Sequence, residues 1–302
     1  MFSGSTAFPV DRSANDFPTR RVETNLEASP EIRPGRGRLG VEIISGLSAA
    51  TSSWASSPLK ILVPRPRGPS VWAYFSSFGG GLVAGDETSV TLDIGEQTRC
   101  FVSTQASTKV YRNPESRPCS HQLEATLAED SLLAYAPDPI QAFAGSSYAQ
   151  RQAFHLAPGA GLVLVDWLGS GRAARGERWA FQRFQSRNEI FVDRERVLLD
   201  SLLLDPADGP LDSPHRMGRF NCLALVLIIG DLVRDAGVRA LEDIAGRPIT
   251  RAAPLVGSAS SVSNGALLRF AGERVEDVAR EIHRHLAFLP ALLHDDPWSR
   301  NW

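Results

Sequence analysis

The side chains in this 302-residue chain best suited to chemistry crowd into one run: Thr104, Gln105, Ser107, Thr108 and Lys109. The run comes after an apolar alternation, Cys100 to Val102, so a strand continuing through it turns every second member inward, where a hydroxyl or amide must find a partner. Upstream lies a glycine-dense turn, SFGGGLVAGD, from Ser77 to Asp86. Gly79, Gly80 and Gly81 in succession, with Gly85 behind them, mean that the backbone either takes positive φ or is approached closely by other atoms. Lys109 is notable because Lys60 is the only other lysine, so arginine supplies 30 of the 32 basic residues. An ammonium is not interchangeable with a guanidinium, although genomic base composition is the simpler source of the bias.

Several familiar chemistries fail on spacing. Gly79, Gly81 and Ala84 satisfy the loose dinucleotide pattern, which requires a strand before it and a helix after it. The turn instead leads into Thr88 to Ile94, whose Val90, Leu92 and Ile94 alternate as in a strand. No phosphate-cradling G-x-x-x-x-G-K-(S/T) occurs in the sequence, so the glycines are read as shape. Cys119 and His121 form a C-x-H pair, but structural zinc takes four ligands and no partner pair is visible; ordinary placement outweighs ligation. Asp166 comes directly after Leu162 to Val165 and precedes Trp167, which predicts a buried carboxylate that must be paired or lie on a polar cavity. Glu177 sits among Arg172, Arg175 and Arg178 in a glycine-punctuated loop, the pattern of a surface ion-pair cluster of small energy.

The elements that must position these groups read as mainly β. Residues 1–36 mix Ser, Pro, Asn and charge without periodicity and are expected to form a disordered tail. A β-rich domain is expected over 37–302, with Asp205 to Arg216 the candidate subdomain boundary. Leu39, Val41 and Ile43 alternate, a Ser/Thr/Ala loop leads to a strand at Leu59 to Val63, and Trp72 to Phe78 feeds the glycine turn. Strand pairs are then joined at Gly95 to Gln97, Ala128 to Asp130 and Ala157 to Gly159, a spacing of about 30 residues that suggests stacked β-hairpin units. Pro137 to Gln150 reads as a long connection, rigid at its prolines. Ser186 to Leu204 resumes strand alternation, and Phe220 to Ile229 reads as a buried strand. Helices are predicted over 235–246 and 273–289; on the second, His283 and His285 cannot share a face. The fold class is thus a layered or helical stack of β-hairpin units with two or three C-terminal helices.

Composition narrows the function. A hydrophobic fraction of 43% supports a sizeable core, and a net charge of −2 gives no electrostatic case for nucleic acid or an anionic membrane. Cys100, Cys119 and Cys222 are too few and too scattered for a disulfide framework and fit a reducing, cytoplasmic setting. The longest apolar run, Cys222 to Ile229, is far short of a membrane span.

Taken together and in order, FGGGLVAGD, TQASTKVYR, PDPIQAFAGSSY, LVDWLGSGRAARGERW and SRNEI resemble the UreD (UreH) family of urease accessory proteins. The likeness is strong over roughly Gly37 to Asp205 and looser beyond. It implies a β-rich, helically layered fold and a non-catalytic scaffold. That scaffold is expected to bind UreF, recruit the GTPase UreG and dock on urease apoprotein while nickel is delivered, with a homodimer inside the complex as a further expectation. It also implies an internal water-filled passage for Ni²⁺, without a stably bound cofactor or metal. Imidazole and thiolate hold Ni²⁺ strongly, so a conduit is expected to avoid them and use oxygen donors. On that reading Asp86, Thr104, Gln105, Thr108, Asp166 and Glu177 line or gate the passage, and Gly79, Gly80, Gly81, Gly85, Lys109 and Arg172 shape it. The competing reading is structural: Asp86 caps the glycine turn, Thr104 and Thr108 satisfy backbone groups, and Asp166 pairs with an arginine such as Arg172. Two other function classes stand beside it: a nucleotide-dependent β-rich enzyme, resting on Gly79, Gly81 and Ala84, and a free-standing metal carrier, which needs more clustered His and Cys than Cys119 and His121 provide.

Overall fold

In the computed structural model, which describes residues 34–299 apart from Pro66 and Ile249, the alternating segments wind into coils that build two β-sheets packed across one core. In chain order the strands are β1 (Gly35–Ile44), β2 (Leu47–Ala55), β3 (Leu59–Leu62), β4 (Val71–Ser77), β5 (Glu87–Ile94) and β6 (Arg99–Thr104). Next come β7 (Lys109–Val110), β8 (Cys119–Leu127), β9 (Leu132–Tyr135), β10 (Ile140–Ala142), β11 (Ser147–Leu156) and β12 (Gly161–Gly169). The last are β13 (Arg183–Val192), β14 (Glu195–Leu204), β15 (Cys222–Gly230), β16 (Leu255–Val262) and β17 (Gly265–Gly272), with helices α1 (Arg234–Ala245), α2 (Val275–His285) and α3 (Leu289–Leu293). One sheet runs β14-β13-β11-β8-β5-β1-β2; the other runs β16-β17-β15-β12-β9-β6-β4-β3, with β7 and β10 attached.

The layered stack expected from the sequence is present, but its joints are arches rather than hairpin turns. β5 and β6, β8 and β9, and β11 and β12 each lie in different sheets, and each strand pairs in parallel with its counterpart one coil away. The arches share one geometry despite dissimilar sequences. Thr98, Ser131 and Ala160 each donate their N–H to the carbonyl three residues back. The third arch residue, Gln97, Asp130 or Gly159, has φ of 58°, 54° or 73°. The opening N–H of each arch also bonds the coil before it: Gly95 to Val41 O, Ala128 to Ile94 O and Ala157 to Leu127 O, at 2.8, 2.8 and 2.9 Å. The ladder therefore continues around the bend and leaves few orphan groups. At this end the core is closed by apolar rungs such as Leu92, Ala125, Phe154 and Ile190, which share register across four strands and are all fully buried.

Other expectations need adjustment. The Ser/Thr/Ala segment read as a loop is β2, pairing β1 as an antiparallel edge whose low hydrophobicity suits its largely exposed side chains. β6 ends at Thr104 instead of running on through Thr108, so Gln105 turns outward and pairing resumes at Lys109. The long 137–150 connection contains β10, which pairs β12 and β7. Beyond β14, Leu211 is buried against Trp179 and Phe181 in a third apolar cluster. The 1–36 tail lies outside the described residues except at 34–36, where β1 already begins at Gly35. The predicted helices are α1 and α2, with α3 starting afresh because Pro290 suits a first turn and not a helix interior. Their apolar faces cover the outer side of the second sheet, and Trp298 docks back on His283 with ring centroids 4.2 Å apart. Among the described residues, no helix is long and apolar enough to cross a membrane.

The arch geometry makes a stability prediction. A Cβ on Gly230, which packs against the third arch, meets the backbone oxygen of Ala160 at 2.0 Å as well as taking a φ of 107°, whereas Gly176, at φ 77°, has open space around it. Gly230→Ala is expected to cost ~2 kcal/mol or more, and Gly176→Ala only the ~1 kcal/mol of backbone strain. Denaturant midpoints of the two variants compare them directly; equal losses would remove the steric half of the argument.

Candidate functional site

Away from the arches the interior changes character. Along the first sheet, Thr88, His121, Gln150 and Ser186 stand in register on β5, β8, β11 and β13. The next rung toward the arches brings Gln152 beside Asn188. Beyond the polar rungs the wall is apolar again, through Cys119, Tyr148 and Phe184 of the third cluster. A polar layer is thus sandwiched between two apolar ones, and it faces Thr104 and Asp166 on the second sheet. Between the sheets lies a cavity of about 250 Å³ whose wall includes Thr88, Thr104, His121, Tyr135, Gln150, Gln152 and Asp166. Its rim comes from the segments 76–80 and 105–109, where Gly80, Gln105 and Lys109 are exposed.

Asp166 is the electrostatic centre of this layer. Oδ1 accepts from Gln150 Nε2 at 2.7 Å, while Oδ2 accepts from Asn188 Nδ2 at 2.8 Å and from the Ser186 hydroxyl. Gln150 Nε2 also reaches Ser186 Oγ at 2.9 Å, and Gln152 Nε2 donates to Asn188 Oδ1 at 3.0 Å. Burial raises the Asp166 pKa, the hydrogen bonds from Ser186, Asn188 and Gln150 lower it, and the charge of Asp200 adds to the rise. Every group bonded to Asp166 is neutral, so no cation cancels the charge it carries when ionised, and burial leaves its pKa raised on balance. The Gln152 amide oxygen is buried without a hydrogen-bond partner. His121 carries Nδ1 2.8 Å from Thr88 Oγ1, and burial pushes its imidazole down to about 4, leaving it neutral. Cys119 is not on the wall: its thiol bonds Val83 O at 2.9 Å and burial, the largest effect, pushes it up to about 11.

The predicted residues divide accordingly. Thr104, Gln105, Thr108 and Asp166 line the cavity, as do Gly80 and Lys109. Thr104 Oγ1 also accepts from Asp138 N at 2.8 Å. Asp86 is not on the wall; its carboxylate accepts from Val83 N at 2.8 Å and closes the glycine turn. Glu177 is elsewhere too, held by Arg172 through two hydrogen bonds, which lower its pKa, and by Ala144 N. Arg172 therefore partners Glu177 rather than Asp166. The glycines split their labour: Gly79, Gly80 and Gly85 take φ of 79°, 74° and 84°. Gly81 is extended and makes room, since a Cβ there meets the Tyr111 ring at 2.6 Å and Lys109 O at 2.7 Å. The turn leads into β5 and not a helix, so the dinucleotide pattern lacks its required context.

Sequence reasoning missed Gln150, Gln152, Ser186, Asn188 and His121 as one surface, although their alternation along β8, β11 and β13 carries the signal. It also missed Glu189, on the opposite face of β13. That carboxylate is only 3% exposed, under Arg151, Arg187 and Arg196 at 2.8, 3.1 and 3.3 Å. A further group, Asp243, Glu281 and His285, brings three ligand atoms within 4.8 Å of one another. Arg247 and Arg284 each bridge both carboxylates, so the group reads as a clasp between α1 and α2.

The chain is similar to known proteins over most of its length. The family model described as UreD urease accessory protein matches residues 33–302. Urease accessory protein UreD of Sorangium cellulosum is 45% identical over 272 residues, covering 89% of this chain and 85% of the relative. Its counterpart in Anaeromyxobacter is 41% identical, covering 90% and 91%. Urease accessory protein D of rice (subspecies japonica) is 33% identical, covering 92% of this chain and 98% of its own length.

Glu189 gives this region an acid signature. The hydrogen bond from Arg187, reinforced by Arg151 and opposed by desolvation, lowers its pKa from 4.5 to about 2. Its stabilisation is complete above pH 4.5 and fades as pH falls toward 2. Glu189→Gln is expected to be less stable at neutral pH and to lose less stability across that acid window. Denaturation midpoints against pH test this, and parallel curves would remove Glu189 as a source of acid sensitivity.

Proposed function

The chain belongs to the UreD family of urease accessory proteins, and on that premise we propose that it serves in the cytoplasm as a non-catalytic scaffold for urease maturation. It acts with UreF, UreG and urease apoprotein in GTP-dependent nickel insertion, as one or two copies within the complex, and the inter-sheet cavity carries Ni²⁺ as cargo. The observation that supports cargo transfer most is the uncancelled Asp166 carboxylate on a wall of hydroxyls and amides. Such oxygen donors attract a divalent cation without the affinity of a resident site, and conduction requires entry and release alike. Thr104, Gln105 and Thr108 are the remaining predicted residues in a position to contact the cargo. Asp86 and Glu177 act at a distance, by fixing the glycine turn and the loop bearing Arg172. Lys109 at the rim is a cation beside an entrance for cations, so it discourages idle occupancy or presents a contact to a partner.

A reconstitution test separates cargo handling from architecture. Asp166→Asn and Asp166→Ala are expected to co-purify with UreF and UreG at wild-type yield and to lower the nickel content of urease severalfold. Asp86→Ala is expected to reduce stability and assembly together, through the turn. Normal nickel content in both Asp166 variants, or loss of complex in both, would refute a cargo role for the cavity.

A further inference from the structure

A conduit built only from oxygen donors has little means of preferring a transition ion over the far more abundant Mg²⁺, which such donors suit well. The cavity wall contains one nitrogen donor that changes this. His121 sits in the polar rung between Thr88 and Gln150, inside the solenoid and on the cavity. Nδ1 is engaged by Thr88, whose hydroxyl proton has its own acceptor in Ser120 O at 3.3 Å; in the tautomer where Nδ1 donates to Thr88 Oγ1, Nε2 keeps its lone pair for a ligand. In the next rung Gln152 presents its amide oxygen, 2% exposed as a residue and without a hydrogen-bond partner. An unbonded buried amide oxygen is costly unless something else meets it. Asp166 is linked to Gln152 through Asn188, which accepts from Gln152 and donates to Asp166, and it adds the carboxylate.

We propose that His121 Nε2, the Gln152 amide oxygen and the Asp166 carboxylate form a waypoint inside the cavity that selects a borderline transition cation such as Ni²⁺ over Mg²⁺ and Ca²⁺. The proposal rests on the cavity carrying a metal cargo and adds the basis of its selectivity. A single imidazole among oxygen donors raises affinity for Ni²⁺ specifically, because hard cations gain little from nitrogen. One imidazole is also few enough to let the ion go, unlike the clustered ligands of a storage site. The expectation that a nickel conduit avoids imidazole altogether therefore gives way to a narrower rule: one nitrogen, with the nearby thiol of Cys119 turned to a backbone carbonyl and kept off the wall. No bond changes order and no electron moves; water ligands are exchanged for protein ligands and back.

The test uses the full chain, Ni²⁺ as the probe and excess Mg²⁺ as competitor, with affinity read by equilibrium dialysis and ligand type by X-ray absorption. Wild type is expected to hold one Ni²⁺ with a single imidazole scatterer and to keep it against Mg²⁺. His121→Asn, which retains a partner for Thr88, is expected to weaken Ni²⁺ by about tenfold or more and to lose the preference over Mg²⁺. Gln152→Leu is expected to weaken it less. Unchanged Ni²⁺ binding in His121→Asn with loss in Asp166→Ala would overturn the waypoint while leaving cargo transfer standing. Loss in His155→Ala in place of His121→Asn would put the ion on the outer face and overturn it as well. Failure of wild type to bind Ni²⁺ at all would sink both readings.

Discussion

A carboxylate enclosed between two β-sheets must be solvated by protein, and that requirement fixes much of this molecule. Asp166 points inward from β12, and its donors Gln150, Ser186 and Asn188 come from the facing sheet, on β11 and β13. A slip of one residue in β13 would turn Ser186 and Asn188 outward and bring Arg187 inward, because side chains alternate with period two. The hydrogen bonds to one side chain thus help lock the register of two parallel strands against a third. Apolar packing at the arch end, through Phe154, Ile190 and Leu164, specifies volume but tolerates more exchange among similar side chains.

The same layer explains why the interior is open at one end. Four-residue arches bring the strands together tightly, and their repeated positive φ is borne by Gln97 and Asp130 as well as Gly159. At the opposite end the returns are longer, 78–86 and 105–118 among them, and residues of both line the cavity between the sheets. Gly81 lets Tyr111 and the Lys109 backbone crowd in, while Gly79 and Gly80 bend the rim. The triple glycine therefore shapes an edge of the cavity.

What could be read from the sequence tracked the strength of local signals. Strand alternation, the 30-residue spacing and the amphipathic face of α2 are local and were legible. The difference between a hairpin turn and an arch depends on which strand pairs with which, a long-range matter that Gly95 to Thr98 does not encode by composition. β2 was hidden because an edge strand with solvent on its faces needs few apolar residues. Burial of Asp166 was legible from its apolar surroundings, but its partners were not. The nearby Arg172 was the obvious choice on charge, yet it lies across a turn where Glu177 captures it within five residues. Gln150, Gln152, Ser186 and Asn188 are polar at positions where alternation calls for apolar residues. That mismatch was itself the clue to a shared polar layer.

Charge pairing separates Asp166 from the other enclosed acids. Glu189 is held by three arginines, Glu177 by Arg172, Asp200 by Arg269, and Glu281 by Arg247 and Arg284. In a chain whose cations are almost all arginine, a guanidinium is the ready answer to a buried acid, since its fork satisfies both oxygens at once. At Asp166 the answer is amides and a hydroxyl. These hold the carboxyl group without neutralising it, and burial still leaves its pKa raised. An ion-paired carboxylate has little attraction left for a passing cation, whereas one held by neutral dipoles keeps it. If the cavity handles a cation as proposed, the wall's single imidazole acts beside a carboxyl group that no cation neutralises, so attraction and discrimination rest on different side chains and can be altered separately.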